Sequence, residues 1–178
     1  MNTKNFLSIN IAALLIASVT SISFAQQSGF LEKEIGNVYH VSIPGYMTKT
    51  YSLNDAASLQ YLNAAKETYV IVIEDSKEEL LDAGSPFKNP EDFYDHFERS
   101  FVDKSSEISA LKALKINGKP AVQVEITKPF GDYSVSYLVT VIESDTHFYK
   151  MLAWTILDYR DMYMVDFKKI ANSFRDDS

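Results

Sequence analysis

The segment Thr146–Leu157 places Phe148, Leu152, Trp154 and Ile156 on one side and Tyr149, Met151, Ala153 and Leu157 on the other. A strand with this pattern has two dry faces, so its sheet has to be covered above and below. The β-branched run Tyr69-Val70-Ile71-Val72-Ile73 makes the same demand. Two segments read as helices that could supply cover. In Asn89–Lys104, Asn89 suits the N-cap and Pro90 the first helical position. Glu91 and Asp92 suit the positive end of the helix dipole, and Phe93, Tyr94, Phe97 and Phe101 recur on one face. In Tyr159–Phe174, Tyr163, Phe167, Ile170 and Phe174 form one stripe and Asp158 stands where a cap is expected.

Further strands fall between these landmarks. Tyr39, Val41 and Ile43 alternate with His40 and Ser42, and Pro44-Gly45 ends the run. Ser58–Asn63 and Thr68–Glu74 predict one hairpin. Ile108–Ile116 and Ala121–Thr127, around Asn117-Gly118, predict a second; Ser134–Glu143 and Thr146–Leu157, around Ser144-Asp145, a third. Residues 26–37, with only Phe30, Leu31 and Ile35 apolar, read as a loosely docked lead-in. The resulting fold class is α+β, with a mostly antiparallel β-sheet of about six or seven strands flanked by two main helices.

The first 25 residues have the anatomy of a cleavable signal peptide: Lys4, an apolar stretch from Phe6 to Val19, and Ser23-Phe24-Ala25. Cleavage is expected before Gln26, leaving residues 26–178 as a single periplasmic or secreted domain. The polar residues Ser8, Asn10, Ser18 and Thr20 argue against an uncleaved anchor, so no membrane span is expected after cleavage. Lys4 is the only charge removed, and 16 cations then face 24 acids, a net charge of −8. That balance excludes nucleic acid as a natural partner, because phosphate neutralisation needs a basic surface. With no cysteine in the chain, disulfides, thiol nucleophiles and lipid attachment at cysteine are excluded.

Two phrases add to this reading: Ile116-Asn117-Gly118-Lys119-Pro120-Ala121 leading into a strand, and Ile170-Ala171-Asn172-Ser173-Phe174-Arg175 closing the last helix. With the order of elements, they resemble the PsbP-like superfamily, which includes the photosystem II subunit PsbP, a Ran-binding import factor and the bacterial periplasmic protein DcrB. Within it, the chain is similar to uncharacterised exported bacterial proteins through Ala57–Asn63 and Glu67–Ile73. The resemblance implies an α/β/α sandwich with the two helices on opposite faces, and a role in binding or assembly. It supplies no catalytic residues to carry over.

The residues themselves offer few chemical constellations. Asp92 and His96, four apart, make half a metal site and lack the further ligands a metal needs. No nucleophile elbow or phosphate loop occurs, so no catalytic residue, metal or cofactor is assigned. Eleven tyrosines and eleven phenylalanines suggest interfaces, where an aromatic body with a wet tip is favoured. Tyr46, Tyr51, Tyr61, Tyr133, Tyr159 and Trp154 are the candidates. Trp154, Tyr159 and Arg160, which lie within seven positions, are the expected binding residues because Trp, Tyr and Arg carry most interface energy. The function expected is an exported, non-enzymatic binding or assembly factor whose partner is another exported or envelope protein. Two alternatives stand beside it: a carrier holding a small apolar ligand near Phe93, Phe97, Phe148 and Trp154, and a hydrolase with a site assembled from scattered residues.

Overall fold

Eleven strands and three α-helices are found among the described residues, 29–36 and 38–176, of the computed structural model. The segment read as a signal peptide and its expected cleavage point lie outside those residues. In chain order the elements are β1 (Phe30–Ile35), β2 (Tyr39–Pro44), β3 (Thr48–Lys49), β4 (Leu59–Asn63), β5 (Thr68–Ser76), α1 (Lys77–Asp82) and α2 (Pro90–Phe101). There follow β6 (Glu107–Ile108), β7 (Lys112–Ile116), β8 (Lys119–Phe130), β9 (Tyr133–Glu143), β10 (His147–Ile156), α3 (Arg160–Asn172) and β11 (Arg175–Asp176).

The main sheet has eight strands in the order β3-β4-β5-β10-β9-β8-β6, with β7 also paired to β8. All its pairings are antiparallel. The two strands read as dry on both faces, β5 and β10, are adjacent at its centre. On one face Tyr149, Met151 and Ala153 of β10 join Tyr163, Met164, Phe167 and Ile170 of α3 and the inner residues of β2. On the other, Phe148 and Leu152 meet Phe93 and Tyr94 of α2. The helices therefore lie on opposite faces, and the α+β sandwich expected from the sequence is the one observed.

Residues 30–35 of the segment read as a lead-in form a strand. β1 pairs with β2, and with β11 they form a second, three-stranded sheet on the α3 face. Leu31, Lys33 and Ile35 are half-buried while Glu32 and Glu34 face solvent, an alternation obscured by its charges. The start of the last helix also differs. A 3-10 turn at Leu157–Tyr159 comes first, and α3 begins at Arg160 with no side-chain cap, so Asp158 does not cap it.

The Asn117-Gly118 turn is as expected, with φ of 47° and 85° and a two-residue connection between Ile116 and Lys119. Asn117 has a second task. Its Nδ2 donates to the Phe174 carbonyl at 2.7 Å, tying the hairpin to the end of α3. The strand read as Ile108–Ile116 is interrupted. Three residues, Ser109 to Leu111, stand against two on β8 between the Ile108–Ile126 and Lys112–Gln123 pairs, which is a one-residue bulge. There the Ser109 N–H donates to the Glu125 carbonyl (2.9 Å) and the Ser109 hydroxyl accepts from the Glu125 N–H (3.0 Å).

On the α3 face of the main sheet, three hydroxyls are fully buried without a hydrogen-bond partner: Thr68, Ser136 and Thr155. Thr155 faces Ser136 across β10 and β9, and Thr68 lies on β5 one residue beyond the Tyr69–Trp154 pair. An unmade hydrogen bond in such a place is costly, whereas an apolar group of equal shape is not. Thr155→Val is therefore expected to leave stability unchanged or raise it by about 1 kcal/mol, roughly 2 to 4 °C in the midpoint of thermal unfolding. A fall of several degrees would show that the hydroxyl is satisfied through water.

Candidate functional site

One end of the main sheet gathers the C-terminal ends of β8 and β10 and the N-terminal ends of β5 and β9. On the α2 face of this end, aromatic side chains succeed one another. Phe97 stacks on Phe101 (4.8 Å between centroids), Phe101 meets the edge of Tyr137 at 5.1 Å, Tyr137 lies 6.0 Å from Trp154, and Trp154 stacks on Tyr69 at 5.3 Å and 12°. Helix α2 stops at Phe101, where Lys128 donates to its carbonyl and lies over its ring. Further along the same face, past Lys128 on β8 and Tyr137 on β9, stands a second pair of rings, Phe130 and Tyr133, 65% and 49% exposed and 5.4 Å apart.

The turn between those two residues explains their position. Phe130 and Tyr133 are a cross-strand pair closed by Gly131-Asp132, and Gly131 takes φ +60°, the left-handed conformation that tight hairpins need and glycine adopts without strain. The tip is thus held rigidly with two large rings outward. Burial and then the Glu67 carboxylate, which accepts from its hydroxyl at 2.8 Å, push the Tyr69 phenol up to about 12; Tyr133 adds to the effect. Burial likewise raises Tyr137, again with a contribution from Tyr133. Both shifts keep the Tyr69 and Tyr137 phenols protonated at physiological pH.

A groove of about 330 Å³ crosses the end of the sheet between Tyr133 and Leu157, with Asp132 and Asp158 on its walls. On its far side Leu157, Tyr159 and Met162 are exposed. The three residues picked from the sequence are brought to this one end but not to one surface. Trp154 is half-buried in the aromatic row on the α2 face. Tyr159 and Arg160 open α3 on the other face, Tyr159 edge-on to Tyr163 at 6.4 Å. Arg160 is engaged in ion pairs, with Glu125 and with Asp161 (2.7 Å).

Glu125, not singled out in the sequence, sits opposite the bulge and accepts from both Arg160 and Lys168, the latter at 2.8 Å. Burial alone would raise its carboxyl, but the hydrogen bonds and charges of Lys168 and Arg160 outweigh that and hold it below the ordinary 4.5. Because the folded value lies below the unfolded one, the pairing stabilises fully above about pH 4.5 and its contribution drains as pH falls through the folded value. Urea midpoints measured from pH 7 to pH 3 should show this loss, and Glu125→Gln should flatten that part of the profile. An unchanged slope would mean that the cluster adds nothing. The Asp92–His96 pair is otherwise occupied: Asp92 accepts from the Lys88 N–H at 3.1 Å and His96 packs 5.2 Å from Phe87.

Comparison with solved structures settles the architecture. Cyanobacterial PsbP (CyanoP) from Synechocystis superposes with a TM-score of 0.62 at 15% identity, over 89% of this chain and 98% of that one. The fold is PsbP-like. The Ran-binding protein Mog1p of Saccharomyces cerevisiae shares it, with a TM-score of 0.58 at 10% identity, over 83% of this chain and 95% of that one. So does LpqN of Mycobacterium tuberculosis, involved in cell envelope biogenesis, at 0.54 and 10%, over 78% and 82%. At these identities the likeness is one of fold. No family model matches the sequence, and no curated protein matches it. Among the described residues no helix is long and apolar enough to cross a membrane.

Proposed function

We propose that the PsbP-like domain is an exported, non-enzymatic binding or assembly factor that holds another exported or envelope protein at the open end of its main sheet. The observation that carries this reading is the exposed ring pair Phe130 and Tyr133 at the hairpin tip, on the same sheet face as the aromatic row that runs out from beneath α2. Rigid aromatic rings contribute large contact area at small entropic cost, which is how protein interfaces gain energy. Trp154 supports the row from below, and Tyr159 and Arg160 flank the groove from the other side. The mature chain begins at Gln26 in this account, and the exported bacterial branch of the PsbP-like proteins is its place. The Ran-binding activity in Mog1p's description and the envelope role in LpqN's are in keeping with such work.

A photo-reactive phenylalanine analogue placed at Tyr133 tests the reading in cells. It should cross-link a discrete envelope protein, while the same group at Tyr51, 75% exposed but on a loop outside the aromatic row, should not. Equal cross-linking from both positions would show non-specific contact and count against the proposal.

A further inference from the structure

The two long helices turn different faces to solvent. On α2 the exposed positions are Asp95, His96, Arg99 and Ser100, all polar. On α3 they are Asp161, Met162, Val165, Lys169 and Asn172, and two of these are apolar, Met162 at 63% and Val165 at 54% exposure. At 3.6 residues per turn the five fall on one stripe along the helix. Val165 stands in the middle of it, opposite the buried stripe of Tyr163, Phe167 and Ile170. A helix with apolar side chains at the centre of its outward face has a second face to bury.

The charges on the stripe point to what covers it. Asp161 comes four residues before Val165 and Lys169 four residues after it, each about 6 Å from it along the axis. The stripe is therefore acidic towards its N-terminal end and basic towards its C-terminal end. A second α3 laid against it in parallel would bring like charges together. Laid antiparallel, with a two-fold axis beside Val165, it sets Val165 against Val165 and brings Asp161 of each copy to Lys169 of the other. Both ends close at once, as an isologous contact requires. Pairs within the chain leave these groups open to a second partner. Asp161 accepts from Arg160 at 2.7 Å through Oδ1, yet its side chain is 93% exposed. Lys169 is exposed, 3.5 Å from Asp166, and has three donors.

We infer that the protein forms a two-fold symmetric dimer through the outward face of α3, with the two helices antiparallel, Met162 and Val165 at the centre, and Asp161–Lys169 pairs at both ends. One helix face is a small interface, so the dimer is weak, with a dissociation constant on the order of 100 µM. The contact does not depend on the ring pair at Phe130 and Tyr133, and either surface can act without the other.

Sedimentation equilibrium of the purified protein from about 10 µM to 1 mM tests this, a range chosen to bracket that constant. The mean mass should climb from one chain towards two. Asp161→Lys and Lys169→Glu each set like charges opposite one another at both ends, and each alone should weaken the dimer at least about tenfold. An equimolar mixture of the two variants should dimerise again, because in the mixed pair every charge meets its opposite. The matching exchange on α2, Asp95→Lys and Arg99→Glu, should leave self-association of each variant as in the unaltered protein. A single-chain mass up to 1 mM in the unaltered protein would overturn the dimer. Self-association that neither α3 variant weakens would place the contact on another surface, and a mixture that fails to recover would overturn the antiparallel register. The measurement on the unaltered protein needs no variant, so a folding defect in any substitution leaves it decisive.

Discussion

Phe174→Ala should cost about 3 to 5 kcal/mol, enough to bring a domain of ordinary stability close to unfolding at 37 °C. Phe174 is wholly buried although it lies past the end of α3. It stacks on Tyr39 of β2 (5.3 Å, 25°) and packs 4.7 Å from Tyr149 of β10, while Tyr39 meets Tyr149 edge-on at 5.3 Å. The three rings join the small sheet, the main sheet and the end of α3, where the Phe174 carbonyl accepts from Asn117. Truncation would remove the ring contacts and leave a cavity among groups tied down from three sides, so little collapse can offset it. Urea denaturation gives the number directly. A loss below about 1.5 kcal/mol would show that the small sheet closes over the gap, and that the junction is weaker than its geometry indicates.

The double substitution Phe130→Ser, Tyr133→Ser should leave stability within about 0.5 kcal/mol, since both side chains are largely exposed. It should nevertheless weaken capture of the envelope partner by about 2 to 4 kcal/mol, roughly 30- to 1,000-fold. The reasoning is that truncating anchor rings at the centre of an interface removes buried area and lets water reach the groups around them. Gly131-Asp132 and the cross-strand pairing are untouched, so the backbone of the tip stays in place. Tyr159→Ala, Arg160→Ala is expected to do less, about 1 to 3 kcal/mol on capture, because those residues flank the groove and Arg160 is already committed to Glu125. The reverse ranking would move the interface onto the α3 face.

Much of the sandwich could be read from periodicity. Dry faces on β5 and β10, the aromatic stripe of α2 and the Asn117-Gly118 turn each depend on neighbours in sequence, and each was legible. What escaped depends on partners far away. The Glu125 cluster joins residues 35 and 43 positions apart, and the bulge opposite it shows only in the register of β8 against β6 and β7. The charges of Glu32, Lys33 and Glu34 hid β1, because half-burial against a small sheet needs only Leu31 and Ile35 to be apolar.

The proposed binding surface was half legible. Trp154, Tyr159 and Arg160 are close in sequence, yet Trp154 belongs to the face of β10 that carries Phe148 and Leu152, and α3 leaves the strand on the other side. Side-chain alternation put Trp154 with Phe148 and Leu152, and only the placement of the helices separates it from Tyr159. Phe130 carried a signal in the sequence. An aromatic residue between Pro129 and Gly131, just before Asp132, is a large apolar group at a hairpin tip, where nothing of the same chain can cover it.

The most direct test of the binding account is hydrogen exchange on the protein alone and in complex with its captured partner. The account predicts added protection across residues 129–134 and 154–160, with no change at 48–56 on the opposite edge of the sheet. Protection confined to α1 and α2, or spread evenly over the domain, would contradict it.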